Sequence, residues 1–428
     1  MNNIRLHCAA LKTIGGKCVL SWSNKYQCLY ILFQYSTISF YLICHAWSTF
    51  TRAIRYLPEF IQTFFEDVTT NMIVFEIICF NFKFENIMEL ANLMENAFCS
   101  VNSKVTRKVQ LKSKKLLLLI FLGISFSVIG LVMQTMVPLT AKELEIQTDV
   151  YRTKHPERIL MSNVRVPLID ETESWYYEAI MVMEIYLGLA YIVGVTLVVT
   201  LIPNVVIFME GQYTILCEHV LNLGTQLRDI HGHRFFYTNL EKSEIECLFS
   251  ILEDRKKRPF KPARVKMIEQ KYEQLYLRQI ICFHQKLLLF QEKVQIIFSS
   301  VVLPLIIFNN VGISLCIYQL TARTTALSDV RMFKFFIEFL TMIAQFYVLN
   351  HFSEVMDDCN TMVCRSIIFS QWQHCTRDTK RGLMSLLRFT QRRNHLKFYG
   401  GAITLSRVFF LHVVKIAYSF VNFMRIKS

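Results

Sequence analysis

Charge is scarce in this chain. Asp, Glu, Lys and Arg together make up 19% of its 428 residues, whereas hydrophobic residues make up 53%. Soluble domains are about one-quarter charged. A soluble chain of this length would ordinarily divide into two or three domains, and such domains could not bury this much apolar surface. The composition therefore favours a protein whose apolar side chains face lipid.

The sequence also lacks the patterns of metal sites and active sites. Its thirteen cysteines form no CxxC pair and none lies between Cys99 and Cys217, so neither a zinc site nor a secreted disulfide framework is expected. His231 and His233 have no carboxylate or cysteine at ligand spacing. No glycine-rich phosphate loop and no nucleophile motif occurs. We therefore expect neither an enzyme nor a bound cofactor.

Acidic residues are absent from the first 25 residues, which contain Arg5, Lys12, Lys17 and Lys25 and only short apolar runs. This segment does not resemble a cleaved signal peptide. The chain has no Asn-x-Ser/Thr sequon, and its net charge is +14. The basic residues lie between long apolar runs rather than beside clustered aromatic residues, so no nucleic-acid partner is expected.

Long apolar runs dominate the rest of the chain. A helix of about 20 apolar residues crosses a hydrocarbon core roughly 30 Å thick. Four runs meet this requirement without charge: residues 26–51, 116–141, 185–209 and 294–322. A fifth run, residues 332–352, has Lys334 and Glu338 near its start and is otherwise apolar.

Two further runs carry charge inside them. Residues 57–82 contain Glu59, Glu66, Asp67 and Glu76, and residues 405–424 contain Arg407 and Lys415. A charge at mid-membrane costs about 2.5–3.5 kcal/mol on insertion scales, so it must snorkel, pair or face water. With these two, the sequence predicts an all-α polytopic membrane protein with seven transmembrane helices.

Lys and Arg predict the orientation. The connection after the second span is basic, and residues 142–178 are net acidic. The long segment 211–286, with the run Arg255-Lys256-Lys257-Arg258, agrees with a cytosolic position. We expect a cytosolic N-terminus and an extracellular C-terminus. A G-protein-coupled receptor has the opposite orientation, and the Asp-Arg-Tyr and Asn-Pro-x-x-Tyr motifs are absent.

The C-terminal segment holds the most distinctive residues. They are Trp372, a basic helix around residues 380–393, the pair Gly400-Gly401 and the triplet Tyr418-Ser419-Phe420. Pro167 and the run Trp175-Tyr176-Tyr177 precede the fourth span. Together with the inverted topology and the order of the apolar runs, these features resemble the insect odorant receptors over nearly the whole chain.

The resemblance has departures. Ile368 stands where the family commonly has Tyr, and Arg425-Ile426 stands where gustatory relatives have a Gln-Phe ending. The obligate co-receptor of the family is longer, with an extended second cytosolic loop. The chain therefore resembles an odour-specific tuning subunit. A gustatory-type receptor channel remains the alternative, and a secondary transporter is a more distant one because no internal repeat is visible.

The resemblance implies a subunit of a non-selective cation channel in the plasma membrane, gated by a small volatile hydrophobic odorant. It implies a heterotetramer with the obligate co-receptor, embedded in the lipid bilayer of an olfactory neuron dendrite. It also implies four regions. They are a cytosolic N-terminus (1–25), a helical bundle with six spans (26–352), a cytosolic anchor region (353–403) and the last span with a short outside tail (404–428).

The last span lines the pore in the family that the chain resembles. By alignment of the triplet, the candidate pore and gate residues are Tyr418, Ser419, Asn422, Arg425 and Ile426. Lys415, Ser419 and Asn422 also share one helical face, which favours water or partners. Alternatively, Asn422 lies near the outer surface. We expect Lys415 to snorkel or pair within the protein, because a basic ring would repel cations.

The basic amphipathic segment 379–397 corresponds to the family's anchor between subunits. Leu383, Leu386, Leu387 and Phe389 are expected to pack inward, and Arg381, Arg388, Arg392 and Arg393 to remain in water. The anchor candidates are Trp372, Arg381, Leu387 and Arg392. A helix bound to anionic lipid is the alternative interpretation.

The resemblance places the odorant pocket in the outer half of the bundle, between the second, third, fourth and sixth spans. A volatile ligand needs a closed pocket of aromatic and Met side chains. The candidates are Met72, Phe75, Ile129, Met133, Met181, Ile185, Phe336 and Leu340. Each of them could instead be a lipid-facing or packing residue.

Overall fold

The computed structural model describes residues 25–96, 103–167, 169–228, 234–240, 244–247, 262–321 and 329–427. Helices account for most of these residues. The ten α-helices in the described ranges are α1 (Lys25–Thr51), α2 (Leu57–Phe82), α3 (Phe84–Asn96), α4 (Ser103–Met136), α5 (Ala141–Ile146), α6 (Ser174–Leu221), α7 (Pro262–Thr321), α8 (Asp329–Phe369), α9 (Arg377–Thr390) and α10 (Arg407–Lys427).

Most of each predicted span falls in a helix, although the run 116–141 extends beyond the end of α4 at Met136 and the run 405–424 begins two residues before α10. Among the described residues, five helices are long and apolar enough to cross a membrane: α1, α4, α6, α7 and α8. These are the helices that contain the five runs with little or no internal charge. The two charged runs, residues 57–82 and 405–424, form α2 and α10.

Three helices are much longer than a bilayer requires. α6, α7 and α8 contain 48, 60 and 41 residues. At about 1.5 Å per residue these lengths are roughly 72, 90 and 62 Å, against a hydrocarbon core of about 30 Å. At the ends predicted to be cytosolic, the parts beyond the predicted spans are residues 210–221, 262–293 and 353–369. They share one hydrophobic core with α9, and we call the four segments the extramembrane bundle.

α6 is the central helix and α4 is peripheral. The apolar part of α6 is 83% buried, whereas that of α4 is only 11% buried, although their mean hydropathies are 2.5 and 2.8. α6 packs against α4, α7 and α8. Most of the apolar surface of α4 is therefore free to face lipid.

Two short antiparallel hairpins accompany the helices of this mostly helical fold. β1 (Phe235–Asn239) pairs with β2 (Glu244–Cys247), and β3 (Lys397–Phe398) pairs with β4 (Ile403–Thr404). Aromatic residues favour strands because they pack well on a pleated surface. Here the rings of Phe236 and Tyr237 stack on Tyr272 and Tyr276 of α7. Helical periodicity gave no signal for strands this short.

Candidate functional site

A cavity of about 230 Å³ lies between α1, α2, α4, α6 and α8. This volume is many times what one water molecule needs. Each of the five helices contributes apolar side chains to the wall, among them Ile38, Met72, Val128, Val195 and Met342. The cavity therefore has the room and the apolar walls that a small organic molecule requires.

Polar residues interrupt the apolar wall. They are Gln34, Tyr41, Glu66, Thr69, Thr70, Ser127, Ser162, Glu184, Tyr191, Glu338, Thr341 and Gln345. Several hydroxyl groups donate to carbonyl oxygens of their own helices: Thr69 to Phe65, Thr70 to Glu66 and Thr341 to Ile337. Such local bonds satisfy a hydroxyl proton inside a membrane helix.

The loop between α5 and α6 is attached to this cavity by Glu184. The buried carboxylate of Glu184 accepts hydrogen bonds from the backbone N–H groups of Met161 and Ser162, at 2.9 and 3.2 Å, and from the Ser162 hydroxyl. Met161 and Ser162 both line the cavity. One carboxylate on α6 therefore holds part of the loop in the cavity wall.

Buried ion pairs join α2 to α8 beside the cavity. The Arg331 guanidinium pairs with the Glu59 carboxylate, and its Nε donates to Gln62 Oε1 at 3.1 Å. Lys334 Nζ donates to Glu66 Oε1 at 2.7 Å. These five residues form what we call the interhelical ion network. The Arg331 and Glu59 side chains are only 7% and 3% exposed, so their charges compensate each other in a dry environment.

Residues from α1 and the loop extend the interhelical ion network. His45 Nδ1 lies 2.6 Å from Asp67 Oδ1, and His45 Nε2 lies 3.3 Å from Glu66 Oε2. The Tyr151 hydroxyl donates to Glu59 Oε2 at 2.9 Å. The charged residues that made residues 57–82 a doubtful span are thus paired, except Glu76. Neither carboxylate oxygen of Glu76 has a hydrogen-bond partner among the described residues.

A second, smaller cavity of about 20 Å³ lies on the loop side of the interhelical ion network. Arg331 and Gln62 line it, and it shares Glu66, Met161 and Ser162 with the large cavity. The ion network and the Glu184-bound loop segment therefore form the partition between the two cavities.

Of the eight candidate odorant contacts, only Met72 lines the large cavity. Phe75, Ile129, Met133, Ile185, Phe336 and Leu340 are exposed and Met181 is half-buried. The direction in which each residue points around its helix explains why most candidates do not line the cavity. On α8 the lining residues Glu338, Thr341, Met342 and Gln345 follow i, i+3, i+4, i+7, and Phe336 and Leu340 lie about 200° away from Glu338.

Polar side chains of α8 hold the start of α10. Ser353 Oγ donates to the Leu405 carbonyl oxygen at 2.7 Å and accepts from the Leu396 N–H at 2.9 Å. The carboxylate of Glu354 accepts from the Arg407 N–H at 2.8 Å. Because Gln345 of the same helix lines the cavity, α8 contacts both the cavity and the last helix.

One face of α10 packs against the chain. Val413, Ala417 and Val421 are buried at i, i+4 and i+8. Tyr418 and Ser419 are exposed and Asn422 is half-buried, so these pore candidates lie off the packed face. The side chains of Arg425 and Ile426 lie outside the described residues.

The anchor candidates lie on the surface of the extramembrane bundle. Trp372 is 41% exposed, Arg381 and Arg392 are exposed, and Leu387 packs partly against the main core. Phe389 corrects the expectation that it packs inward. Its ring is 56% exposed, because the buried positions of α9 are Thr379, Leu383, Leu386 and Thr390. The Arg392 guanidinium lies 5.5 Å from the Phe389 ring centre.

A tight contact joins α6 to the segment before α9. Gly224 has φ +81°, and a Cβ atom there would collide with the Gln371 carbonyl oxygen. The neighbouring Cys375 thiol is buried. Burial raises the pKa of Cys375 to about 12, and the Glu273 carboxylate acts in the same direction. Cys375 is therefore a neutral packing group at physiological pH.

The family model described as 7tm Odorant receptor matches residues 56–418, which is most of the chain. The chain belongs to the odorant receptor family. Membership makes it a receptor with membrane-spanning helices and not an enzyme, as the sequence predicted. No curated protein matches the sequence.

Solved structures of an insect olfactory receptor have the fold of this receptor. The insect olfactory receptor OR5 from Machilis hrabei matches with a TM-score of 0.68 at 12% identity, over 99% of this chain and 96% of that chain. The structure of the same protein in complex with eugenol matches with a TM-score of 0.70 at 11% identity, over 99% and 98%. At such identities the likeness concerns the fold alone.

The polar residues of the receptor's cavity were missed as site residues. Ser127, Glu184, Glu338, Thr341 and Gln345 lie within or beside apolar runs of the sequence. A polar side chain in a membrane helix almost always faces the interior of the bundle. This signal was present, and it marks the cavity side of α4, α6 and α8.

Proposed function

We propose that this receptor is the odour-binding subunit of a heteromeric, odour-gated, non-selective cation channel in the plasma membrane. The cavity of about 230 Å³ carries this proposal, because its mostly apolar wall suits a small volatile molecule. The eugenol complex of the structurally similar OR5 supports a small odorant as ligand. Seven spans, with α2 and α10 among them, would leave the N-terminus inside the cell and the C-terminus outside.

The odorant contacts are proposed to be the lining residues of the cavity, of which Met72 is the one already expected from the sequence. The seven other candidates would face lipid or a neighbouring subunit. A micromolar ligand has about 8 kcal/mol of binding free energy. It opens the channel only through the difference between its affinities for the open and closed states.

α8 is proposed to transmit that difference. Gln345 lines the cavity and Ser353 binds the backbone at the start of α10. They lie about 12 Å apart along one helix at 1.5 Å per residue. A rotation or shift of α8 around the odorant would therefore displace the beginning of the last span.

α10 is proposed to line a central pore through its unpacked side, with Tyr418, Ser419 and Asn422 toward the pore and Arg425 and Ile426 at the outer constriction. The exposure of Tyr418 and Ser419 in the single chain supports this arrangement. In a mixed tetramer the co-receptor subunits would supply most of the lining. The extramembrane bundle, with Arg381 and Leu387 in α9 and with Trp372 and Arg392 on either side of α9, would form the contact between subunits.

Co-expression with an insect odorant co-receptor tests the function. The receptor is expressed in oocytes with and without the co-receptor, and currents are recorded during exposure to a panel of odorants under G-protein block. Odour-evoked cation current that requires the co-receptor is expected. Tastant-evoked current without the co-receptor would favour the gustatory-type alternative, and a saturable substrate flux without channel openings would favour a transporter.

A further inference from the structure

The cavity wall contains two hydrogen-bond acceptors without donors. Gln34 is only 2% exposed, and its Oε1 accepts no hydrogen bond from the described residues. Glu338 Oε2 is buried and likewise accepts none, while Glu338 Oε1 lies 3.9 Å from Lys334 Nζ. Both side chains line the cavity. A buried acceptor of this kind favours a partner that brings a donor.

The other carboxylates of the wall are already satisfied. Glu66 accepts from Lys334 and pairs with His45, and Glu184 accepts from Met161 and Ser162. Glu338 is therefore the carboxylate of the cavity wall whose oxygen can accept a hydrogen bond from a ligand. No Lys, Arg or His is among the described lining residues, so the wall provides no cation for an acidic ligand.

The hydroxyl groups of the wall contribute few donors. The protons of Thr69 and Thr70 are used on helix carbonyl oxygens. Ser127 and Thr341 lie 3.0 Å apart and also bond to the carbonyl oxygens of Gly123 and Ile337. The wall also contains the amide groups of Gln34 and Gln345 and the phenol hydroxyls of Tyr41 and Tyr191, which can donate; the Thr and Ser hydroxyls present mainly acceptors.

We propose, building on the proposed function, that the cavity selects a small, mostly apolar odorant with one hydroxyl donor, bound by the Glu338 carboxylate. A ligand hydroxyl would satisfy the free acceptor, whereas an ether or hydrocarbon of the same shape would leave it buried and unpaired. Leaving a buried acceptor unpaired corresponds to about 10- to 100-fold in affinity. A ligand carboxylate has no hydrogen-bond donor, so it would leave the Glu338 oxygen unpaired and would find no cation among the described lining residues.

Isomeric pairs of ligands test the proposal on the intact receptor with its co-receptor. Benzyl alcohol is compared with anisole, and octyl alcohol with heptyl methyl ether, because each pair shares one molecular formula. In each pair that evokes current, the alcohol is expected to act at about 10-fold or lower concentration than the ether. Octanoic acid is expected to be at least about 10-fold weaker than octyl alcohol. Ethers or the acid as potent as the alcohols would overturn the proposal.

Substitutions test whether Glu338 is the acceptor of the ligand hydroxyl. In Glu338→Met, which removes both acceptors at similar volume, the alcohol-to-ether ratio is expected to fall to within about threefold. Glu145→Gln removes an exposed carboxylate of α5 and is expected to keep the wild-type ratio. Surface labelling identifies folded variants. If Glu338→Met is not at the surface, Glu338→Gln decides, because its amide N–H can donate to an ether oxygen and is expected to lower the ratio. An unchanged ratio in both cavity variants would contradict the assignment.

Failure of the proposed function and failure of the proposed hydroxyl selectivity give different results. If no odorant evokes a co-receptor-dependent current, the proposed function fails. If currents occur but the ethers match the alcohols, the receptor function stands and only the selection of a hydroxyl donor is refuted.

Discussion

Arg331 and Glu59 illustrate how single residues make the charged helix α2 compatible with a membrane. Each side chain is almost fully buried, and each is the other's counter-charge. Removing one partner leaves an uncompensated charge, which costs about 3–5 kcal/mol, whereas removing both is often neutral. The stability of the receptor is therefore expected to fall much more when one member of the pair is removed than when both are removed.

A double substitution tests this dependence. Arg331→Met is expected to lower receptor stability by about 3–5 kcal/mol, and Arg331→Met with Glu59→Gln is expected to recover most of the loss. The measurement is thermal unfolding of detergent-solubilised receptor, with surface labelling in cells. Equal instability of the single and double variants would argue against a charge-balancing role.

At Gly224 the addition of a single atom, Cβ, is enough to disturb the local structure. Its φ of +81° disfavours any side chain, and the Gln371 carbonyl oxygen occupies the position of a Cβ atom. Gly224→Ala is therefore expected to destabilise the receptor by about 1–3 kcal/mol, which thermal unfolding measures. Gly123→Ala is the control, since no atom lies within 4 Å of its Cβ position in α4. A control that loses as much stability would refute the local explanation.

At the scale of the helices, α8 contributes side chains to several different sites. It contributes Glu338 and Gln345 to the cavity, Arg331 and Lys334 to the interhelical ion network and Ser353 to the backbone before α10. Its C-terminal part then enters the extramembrane bundle. A single continuous helix therefore joins the large cavity to α10 and to the extramembrane bundle.

Ser353→Ala tests that connection. The substitution leaves the buried Leu405 carbonyl and Leu396 N–H without their partner, at a cost of about 1–3 kcal/mol at the start of α10. The maximal odour-evoked current is expected to fall severalfold at normal surface expression. Ser385→Ala is the control, because the exposed Ser385 hydroxyl of α9 donates to the Arg381 carbonyl oxygen of its own helix. Equal currents in both variants would rule out a coupling role for Ser353.

The helices could be predicted from the sequence, whereas their rotation could not. Residues 57–82 form α2 with the predicted bounds, because length and apolar content determine whether a helix forms in lipid. Which face points inward depends on contacts between helices. Thus Leu340 was chosen as an apolar pocket residue but is 44% exposed, whereas Thr341, its polar neighbour, lines the cavity.

Pairing between distant residues was also beyond the sequence. The rule that a charge in a span must snorkel, pair or face water left all three outcomes open for Glu59 and Glu66. It could not name Arg331 and Lys334, more than 260 positions away. The two hairpins were missed because their strands are too short for a periodic pattern.

The whole molecule has an orientation that can be tested directly. An epitope tag at the N-terminus is expected to be labelled only after permeabilisation, and a tag at the C-terminus in intact cells as well. The physical reason is the excess of Lys and Arg in the segments assigned to the cytosol. Labelling of the N-terminal tag on intact cells would contradict an odd number of crossings from a cytosolic start.

The different burial of α4 and α6 has a consequence for how the receptor tolerates amino-acid substitutions. Their apolar segments have nearly the same hydropathy, yet most of one is exposed and free to face lipid, whereas packed side chains surround the other. A fluid neighbour reshapes itself around a new methyl group, but a close-packed neighbour does not. We therefore expect the outer face of α4 to accept many apolar replacements as the sequence drifts, and the central helix to accept very few.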